Sequence, residues 1–211
     1  LLQHSSRGFG AGVLETVLDG RHPHLGALAW EDADDLAIAE QAIADLGLQQ
    51  LGGRTLTTLS GGELRRVEIA RLLTQQTPLS LLDEPLNHLD LAHQATCLQV
   101  LLARCRRPGS GLMLVLHDLN HAYQACDHWL LLLGDGEWAA GTRDELADPA
   151  LLRRAFGPEL EMVDGPDGPV RVVGVHAPTP LNDLDGWKRD LYRFGRLARR
   201  PGPPTRLAPW R

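Results

Sequence analysis

Two short stretches carry residues whose types and spacing could do chemistry. In Leu59-Ser60-Gly61-Gly62-Glu63 a pair of glycines stands directly before a helix-forming run, Glu63 to Gln75, and Ser60 and Glu63 have the S-x-x-E spacing of a capping box. Glycines allow another group to approach the backbone closely, and a helix N-terminus offers unpaired N–H groups with partial positive charge. That is a place for an anion. In Pro78-Leu79-Ser80-Leu81-Leu82 a mostly apolar run reads as a strand that delivers two carboxylates, Asp83 and Glu84, at its C-terminal end. Ligands of open α/β sheets bind at that edge. One carboxylate there can hold Mg²⁺ and the next can polarise an attacking water for phosphoryl transfer.

Two histidine pairs invite a metal reading and do not sustain it. His117-Asp118-Leu119-Asn120-His121 is close to H-E-x-x-H, but Asp replaces Glu and no third ligand is apparent. Asp118 has the character of a helix N-cap, which leaves His117 outside the helix and His121 on its surface. Arg21-His22-Pro23-His24 reads as an exposed loop with solvated histidines.

The elements that must position these groups follow from periodicity and punctuation. Val13, Leu14, Val17 and Leu18 have helical spacing and end at Asp19-Gly20. Leu36, Ala39, Ile43 and Leu46 define one apolar helix face, with Asp34 and Asp35 favouring its start and Gly47 its end. From Thr57 the order is loop, helix, strand, helix, strand, helix, the pattern of a parallel sheet with crossover helices. Asp90 can cap a helix with apolar positions Leu91, Ala95, Leu98, Leu101 and Leu102, stopped by Pro108-Gly109. Leu112 to Leu116 reads as a strand covered on both faces, with His117 at its end. Residues 129–133 and 137–141 predict a hairpin around Gly134-Asp135-Gly136. Thr142 and Glu145 form a second capping box, Asp148-Pro149 opens a helix that closes at Gly157, and two short strands are expected over 159–163 and 170–175.

The net charge of -6 and pI near 5.8 give no basic footprint for nucleic acid. Cys97, Cys105 and Cys126 lack metal-ligand or disulfide-framework spacing, which suits a reducing compartment. No apolar run approaches the ~18 residues of a membrane span.

Taken together, the LSGGE helix, the strand ending Asp-Glu-Pro and the following Asn87-His88-Leu89-Asp90 resemble the nucleotide-binding subunit of an ABC transporter, over about residues 1–175. The resemblance implies an α/β fold: a RecA-like P-loop NTPase core over 56–175, with a helical subdomain over 1–55. It makes Leu59, Ser60, Gly61, Gly62 and Glu63 the signature motif, whose Ser60 and Gly62 would touch the γ-phosphate of an ATP held by the opposite subunit. Asp83 matches the Walker B aspartate, a ligand of Mg²⁺. Glu84 matches the catalytic carboxylate, Asp90 the D-loop aspartate and His117 the switch histidine. Gln3 stands where the family carries its Q-loop glutamine, a second Mg²⁺ contact. Leu86 departs from the usual Thr or Ser, a change expected to affect packing.

A phosphate loop requires G-x-x-x-x-G-K-[ST], and no such pattern occurs in the 211 residues; Lys188, the only lysine, follows Gly186-Trp187 and cannot serve. The chain therefore reads as a fragment beginning at the Q-loop, lacking the N-terminal strands and Walker A, and expected to be inactive alone. Leu18-Asp19-Gly20-Arg21-His22-Pro23-His24 and Leu91-Ala92-His93-Gln94 look like the ATPases of cobalamin, haem and ferric-siderophore importers. That group implies a homodimer on the cytoplasmic face of the inner membrane, bound to a permease served by a substrate-binding protein. Asn87-His88-Leu89-Asp90 also looks like the soluble ABC translation factors, and the missing loop leaves a non-hydrolysing remnant as a further alternative. Residues 176–211 form a basic Pro- and Arg-rich tail outside the resemblance.

Overall fold

The computed structural model describes residues 10–26, 29–134, 136–158, 160–165 and 168–173. Gln3 and the 176–211 tail lie outside them. The chain divides in sequence into two compact units, one ending at Leu116 and the other beginning at His117.

The first unit runs α1 (Val13–Leu18), a 3-10 helix (Asp19–His24), α2 (Ala33–Asp45), two further 3-10 turns (Gln49–Leu51 and Leu56–Thr58), α3 (Gly61–Thr74), β1 (Leu79–Asp83), α4 (Leu91–Cys105) and β2 (Gly111–Val115). Asp32 starts α2 by accepting from the N–H groups of Asp34 and Asp35, and Gly47, at φ +65°, takes the left-handed conformation just past its end. Val13, Val17, Ala39, Ile43, Leu46, Val67, Ile69, Ala70 and Leu73 are buried and bind the three helices together. Each large side chain among them contributes roughly 1.5–3 kcal/mol relative to exposure. β1 and β2 pair in parallel, from Leu79 opposite Gly111 to Asp83 opposite Val115.

Four expectations are corrected in this unit. Arg21-His22-Pro23-His24 is a 3-10 helix, not an exposed loop, and Arg21 is buried. Its Nε donates to Asp35 Oδ1 at 2.7 Å, and its Nη1 donates to the Thr74 carbonyl at 2.9 Å and to Gln76 Oε1 at 3.2 Å. Gly20 permits this closeness, since a Cβ there would lie 1.9 Å from the Thr74 hydroxyl and 2.3 Å from the Arg71 carbonyl oxygen. Leu36 is exposed, because α2 turns its Ala39–Ile43 side inward. In α4 Leu91 and Ala95 are exposed, and Cys97, Leu98 and Leu101 form the buried stripe. Finally, β2 is only half-buried along its length, and β1 leaves Leu79 and Leu81 exposed on one face.

The second unit comprises α5 (Leu119–Ala125), β3 (His128–Leu132), β4 (Trp138–Thr142), α6 (Arg143–Leu146), α7 (Pro149–Phe156), β5 (Glu161–Gly165) and β6 (Gly168–Val173). The predicted hairpin forms as β3 and β4, antiparallel with Leu130 opposite Ala140. Both caps form as expected: the Thr142 hydroxyl accepts from the Glu145 N–H, and Asp148 accepts from the Leu151 N–H. Gly157 ends α7 at φ +110°. The last two strands start about two residues away from their predicted positions and pair with a bulge after Val163. Leu119, Trp129, Leu131, Leu146, Leu152 and Leu160 make the core of this unit.

Candidate functional site

The N-terminus of α3 is built locally. Ser60 is extended and its hydroxyl accepts from the Glu63 N–H at 3.3 Å, while Glu63 Oε2 accepts from the Ser60 N–H at 2.8 Å. The bond from the Ser60 backbone N–H first, and the Ser60 side-chain hydroxyl second, hold the Glu63 carboxyl below its ordinary range. The N–H groups of Gly61 and Gly62 open the helix, where no intrahelical acceptor exists. The two glycines serve different ends. A Cβ on Gly61 would meet nothing within 4 Å, so this turn faces open space. On Gly62 it would lie 3.0 Å from the carbonyl oxygen of His88, so Gly62 lets the segment after the acidic pair pack against the helix.

The acidic end of β1 is shaped by a sharp turn. Asp83 is the last strand residue, and the Glu84 N–H still donates to the Val115 carbonyl at 3.0 Å. Glu84 then takes φ +44° and His88 φ +65°, left-handed conformations that bend the chain back. Asn87 holds the turn twice: its N–H donates to the Glu84 carbonyl at 3.2 Å and its side-chain amide donates to the Glu84 carboxylate. Leu86 is buried, in keeping with a packing role. Asp90 caps α4, accepting from the His93 N–H at 2.9 Å with the His93 ring 2.7 Å from its other oxygen. The backbone bond first, and the ring second, hold the Asp90 carboxyl below its ordinary range.

Arg65 ties these two features together. It is buried in α3, and its guanidinium donates to the carbonyl oxygens of Asp83 (2.8 Å), Glu84 (2.9 Å) and Pro85 (3.2 Å) while pairing with Glu68 at 2.8 Å. Arg66, also buried, donates to the carbonyls of Leu46 and Gly47 at the end of α2. Neither arginine was a candidate from motif reading. Their signal is positional: Arg65 and Ile69, like Arg66, Ala70 and Leu73, share helical spacing with buried apolar residues, and a buried arginine requires acceptors.

The helix start at Ser60, Gly61, Gly62 and Glu63 is thus linked to the strand end at Asp83 and Glu84 through Arg65, and Gly62 packs against His88, two residues before Asp90, while Leu59 is buried. His117 is exposed and opens the second unit, immediately before Asp118, which caps α5 through the N–H groups of Asn120 and His121. His121 is less of a surface residue than its spacing suggests, with a side chain 19% exposed and lying 3.9 Å from Asp118. Gln3 falls outside the described residues.

The ABC transporter family matches residues 7–87. The hemin import ATP-binding protein HmuV of Myxococcus xanthus is 38% identical over 189 residues, covering 86% of this chain and 69% of that protein. The chain belongs to the ABC transporter family. The achromobactin transport ATP-binding protein CbrD of Dickeya dadantii is 37% identical to this ABC protein over 157 residues, 74% of the chain. The chain spans 58% of that relative's length. A solved metal-chelate type ABC transporter in an inward-facing conformation superposes with a TM-score of 0.70 at 26% identity, over 84% of this ABC protein and 71% of that chain. Among the described residues, no helix is long and apolar enough to cross a membrane.

Proposed function

We propose that this ABC protein is the ATP-binding and ATP-hydrolysing part of an importer for a metal chelate, haem, a ferric siderophore or cobalamin. The observation that carries the reading is Arg65, which binds the glycine-led helix and the acidic strand end into one unit. Under this reading a phosphate would sit at the N-terminus of α3, where Gly61 leaves open space, and Mg²⁺ at the end of β1, where Asp83 would supply one carboxylate ligand and the nucleotide and water the others. Ser60 and Gly62 would face the γ-phosphate of a nucleotide held by a second subunit. Asp83, with Gln3, would hold Mg²⁺. Glu84 would take the proton from the attacking water, with the Asn87 amide orienting its carboxylate, and His117 would contact the γ-phosphate. When bound, Mg-ATP supplies the phosphoryl group and charge neutralisation. The chain's own residues orient water and accept its proton.

The relatives named as hemin and achromobactin transport ATP-binding proteins support the chelate class, and the metal-chelate transporter structure supports the fold in which it works. The partners under this reading are a second ATPase subunit and a membrane permease with its binding protein, so the ABC protein sits peripherally at the cytoplasmic face. The 211 residues contain no G-x-x-x-x-G-K-[ST], so alone they would complete a partner's site without holding a nucleotide.

Crosslinking tests the partner. Arg21 is buried and unsuited to a probe, whereas His22 and Trp30 are exposed, Trp30 at 88%. Cysteines at His22 and Trp30 should capture a permease in membranes containing it, and vesicles with that complex should take up haem, ferric siderophore or cobalamin with ATP. Capture of ribosomes would move the function to translation.

A further inference from the structure

The C-terminal end of α4 carries Arg104, Arg106 and Arg107. Arg104 and Arg107 line two adjoining hollows. One, of about 570 Å³, lies among α2, the end of α3 and α4; the other, of about 320 Å³, lies between the end of α4 and the segment Gln76 to Pro78. The floor of the larger is apolar, formed by Ala37, Ile38, Ala42, Leu73, Val100 and Ala103.

Neither guanidinium has a hydrogen bond or ion pair among the described residues. The acid on the lining, Asp45, accepts from Gln41 at 2.6 Å. Arg104 is half-buried, and burial, followed by the like charge of Arg107, pushes its pKa down. A helix C-terminus offers a cation some compensation, but Arg106 has the same benefit and stands in solvent. A half-buried cation beside a second cation is unfavourable without an anionic partner. Paired guanidiniums match phosphate oxygens, and the apolar floor beside them matches hydrocarbon.

We propose that this cleft binds an amphiphilic phosphate, with the phosphate between Arg104 and Arg107 and the hydrocarbon portion on the floor formed by α2, α3 and α4. The same chemistry has two sources, the headgroup of an anionic phospholipid and a soluble phosphorylated metabolite. It is independent of the nucleotide reading, since the cleft shares no residue with the glycine-led helix start or the acidic pair.

The test titrates the 211-residue chain with hexyl phosphate by calorimetry and, in parallel, measures co-flotation with phosphatidylglycerol against phosphatidylcholine vesicles. R104Q/R107Q should weaken binding roughly tenfold or more, whereas R106Q, which removes charge from the same helix end outside the cleft, should leave it within about twofold. In the wild-type chain, either probe should protect Arg104 and Arg107 from phenylglyoxal, a readout that needs no variant to fold. Vesicle binding with protection assigns the headgroup source, and hexyl phosphate binding with protection assigns the soluble one. Absence of saturable binding to both probes, equal loss in R106Q, or unprotected arginines overturns the proposal.

Discussion

The Arg65 guanidinium donates to the main-chain oxygen of Asp83 at 2.8 Å, across eighteen residues of sequence, so the strand end that presents the acidic pair is held by its backbone. The carboxylates of Asp83 and Glu84 are thereby left to other partners. An arginine used in this way sets position without touching the chemistry.

Arg65→Ala should therefore destabilise the first unit by about 2–3 kcal/mol, because three carbonyl oxygens lose a charged donor in a buried setting. Arg65→Lys should recover only part of that, since one ammonium cannot reproduce the guanidinium fork. Urea unfolding measures both. Equal stability of the alanine variant and the wild type would show that water replaces the fork without loss.

The adjacent glycines separate cleanly by substitution. Gly61→Ala adds a methyl to open space at a helical position and should stabilise the chain by up to about 1 kcal/mol. Gly62→Ala sets the same methyl 3.0 Å from the His88 carbonyl and should cost about 1 kcal/mol as the turn shifts. Thermal melts of the pair check the opposite signs, and a common sign would contradict the packing reason given for Gly62.

Glu84→Gln bears on the proposed chemistry. In an assembly supplied with a phosphate-binding loop, it should keep ATP binding and nearly abolish turnover, because an amide cannot accept the proton of the attacking water. His117→Ala should also lower turnover severely. Near-normal phosphate release by the Glu84→Gln assembly would remove Glu84 from the role of base.

Acid stability follows from lowered carboxyl pKa values. Asp35 is held below its ordinary range chiefly by its bond to Arg21, and Glu63, Asp90 and Glu145 chiefly by backbone N–H groups. Each binds protons more weakly folded than unfolded. Their stabilisation is full above the unfolded pKa values of about 3.9–4.3 and is lost as pH falls through the lower folded ones. Urea midpoints should hardly change with pH on these groups' account above about pH 5.5, and should fall below about pH 4. Asp35→Asn should flatten part of that fall. An unchanged acid slope in this variant would mean that the Arg21 pair does not persist in solution.

Local chemistry was the legible part of this chain. Ser60 with Glu63, Thr142 with Glu145, Asp118, and Asp148 before Pro149 all announce caps within four residues, and all four form. The hairpin was legible for the same reason, its turn glycines lying between two apolar runs. What escaped depends on partners distant in sequence. Arg21 reads as polar punctuation beside a proline until Thr74, 53 residues later, supplies its carbonyl. Leu36 and Leu91 fit helical periodicity yet stay exposed, because the pattern gives a stripe and not the neighbour that would cover it. At the site, the motif residues were legible, but Arg65, which holds them in register, belongs to no motif.

Cys97, on the buried stripe of α4, makes the first unit its own clock. Burial removes its sulfur from solvent and raises the thiol pKa to about 11, so almost no thiolate exists at neutral pH while the unit is closed. Cys105 and Cys126 are only half-buried. Alkylation should thus proceed in two waves, with the slow one reporting how often α4 leaves its neighbours. Under conditions where reclosing outpaces the reagent, the ratio of that rate to the rate in urea reads the opening free energy of a single helix without any added label.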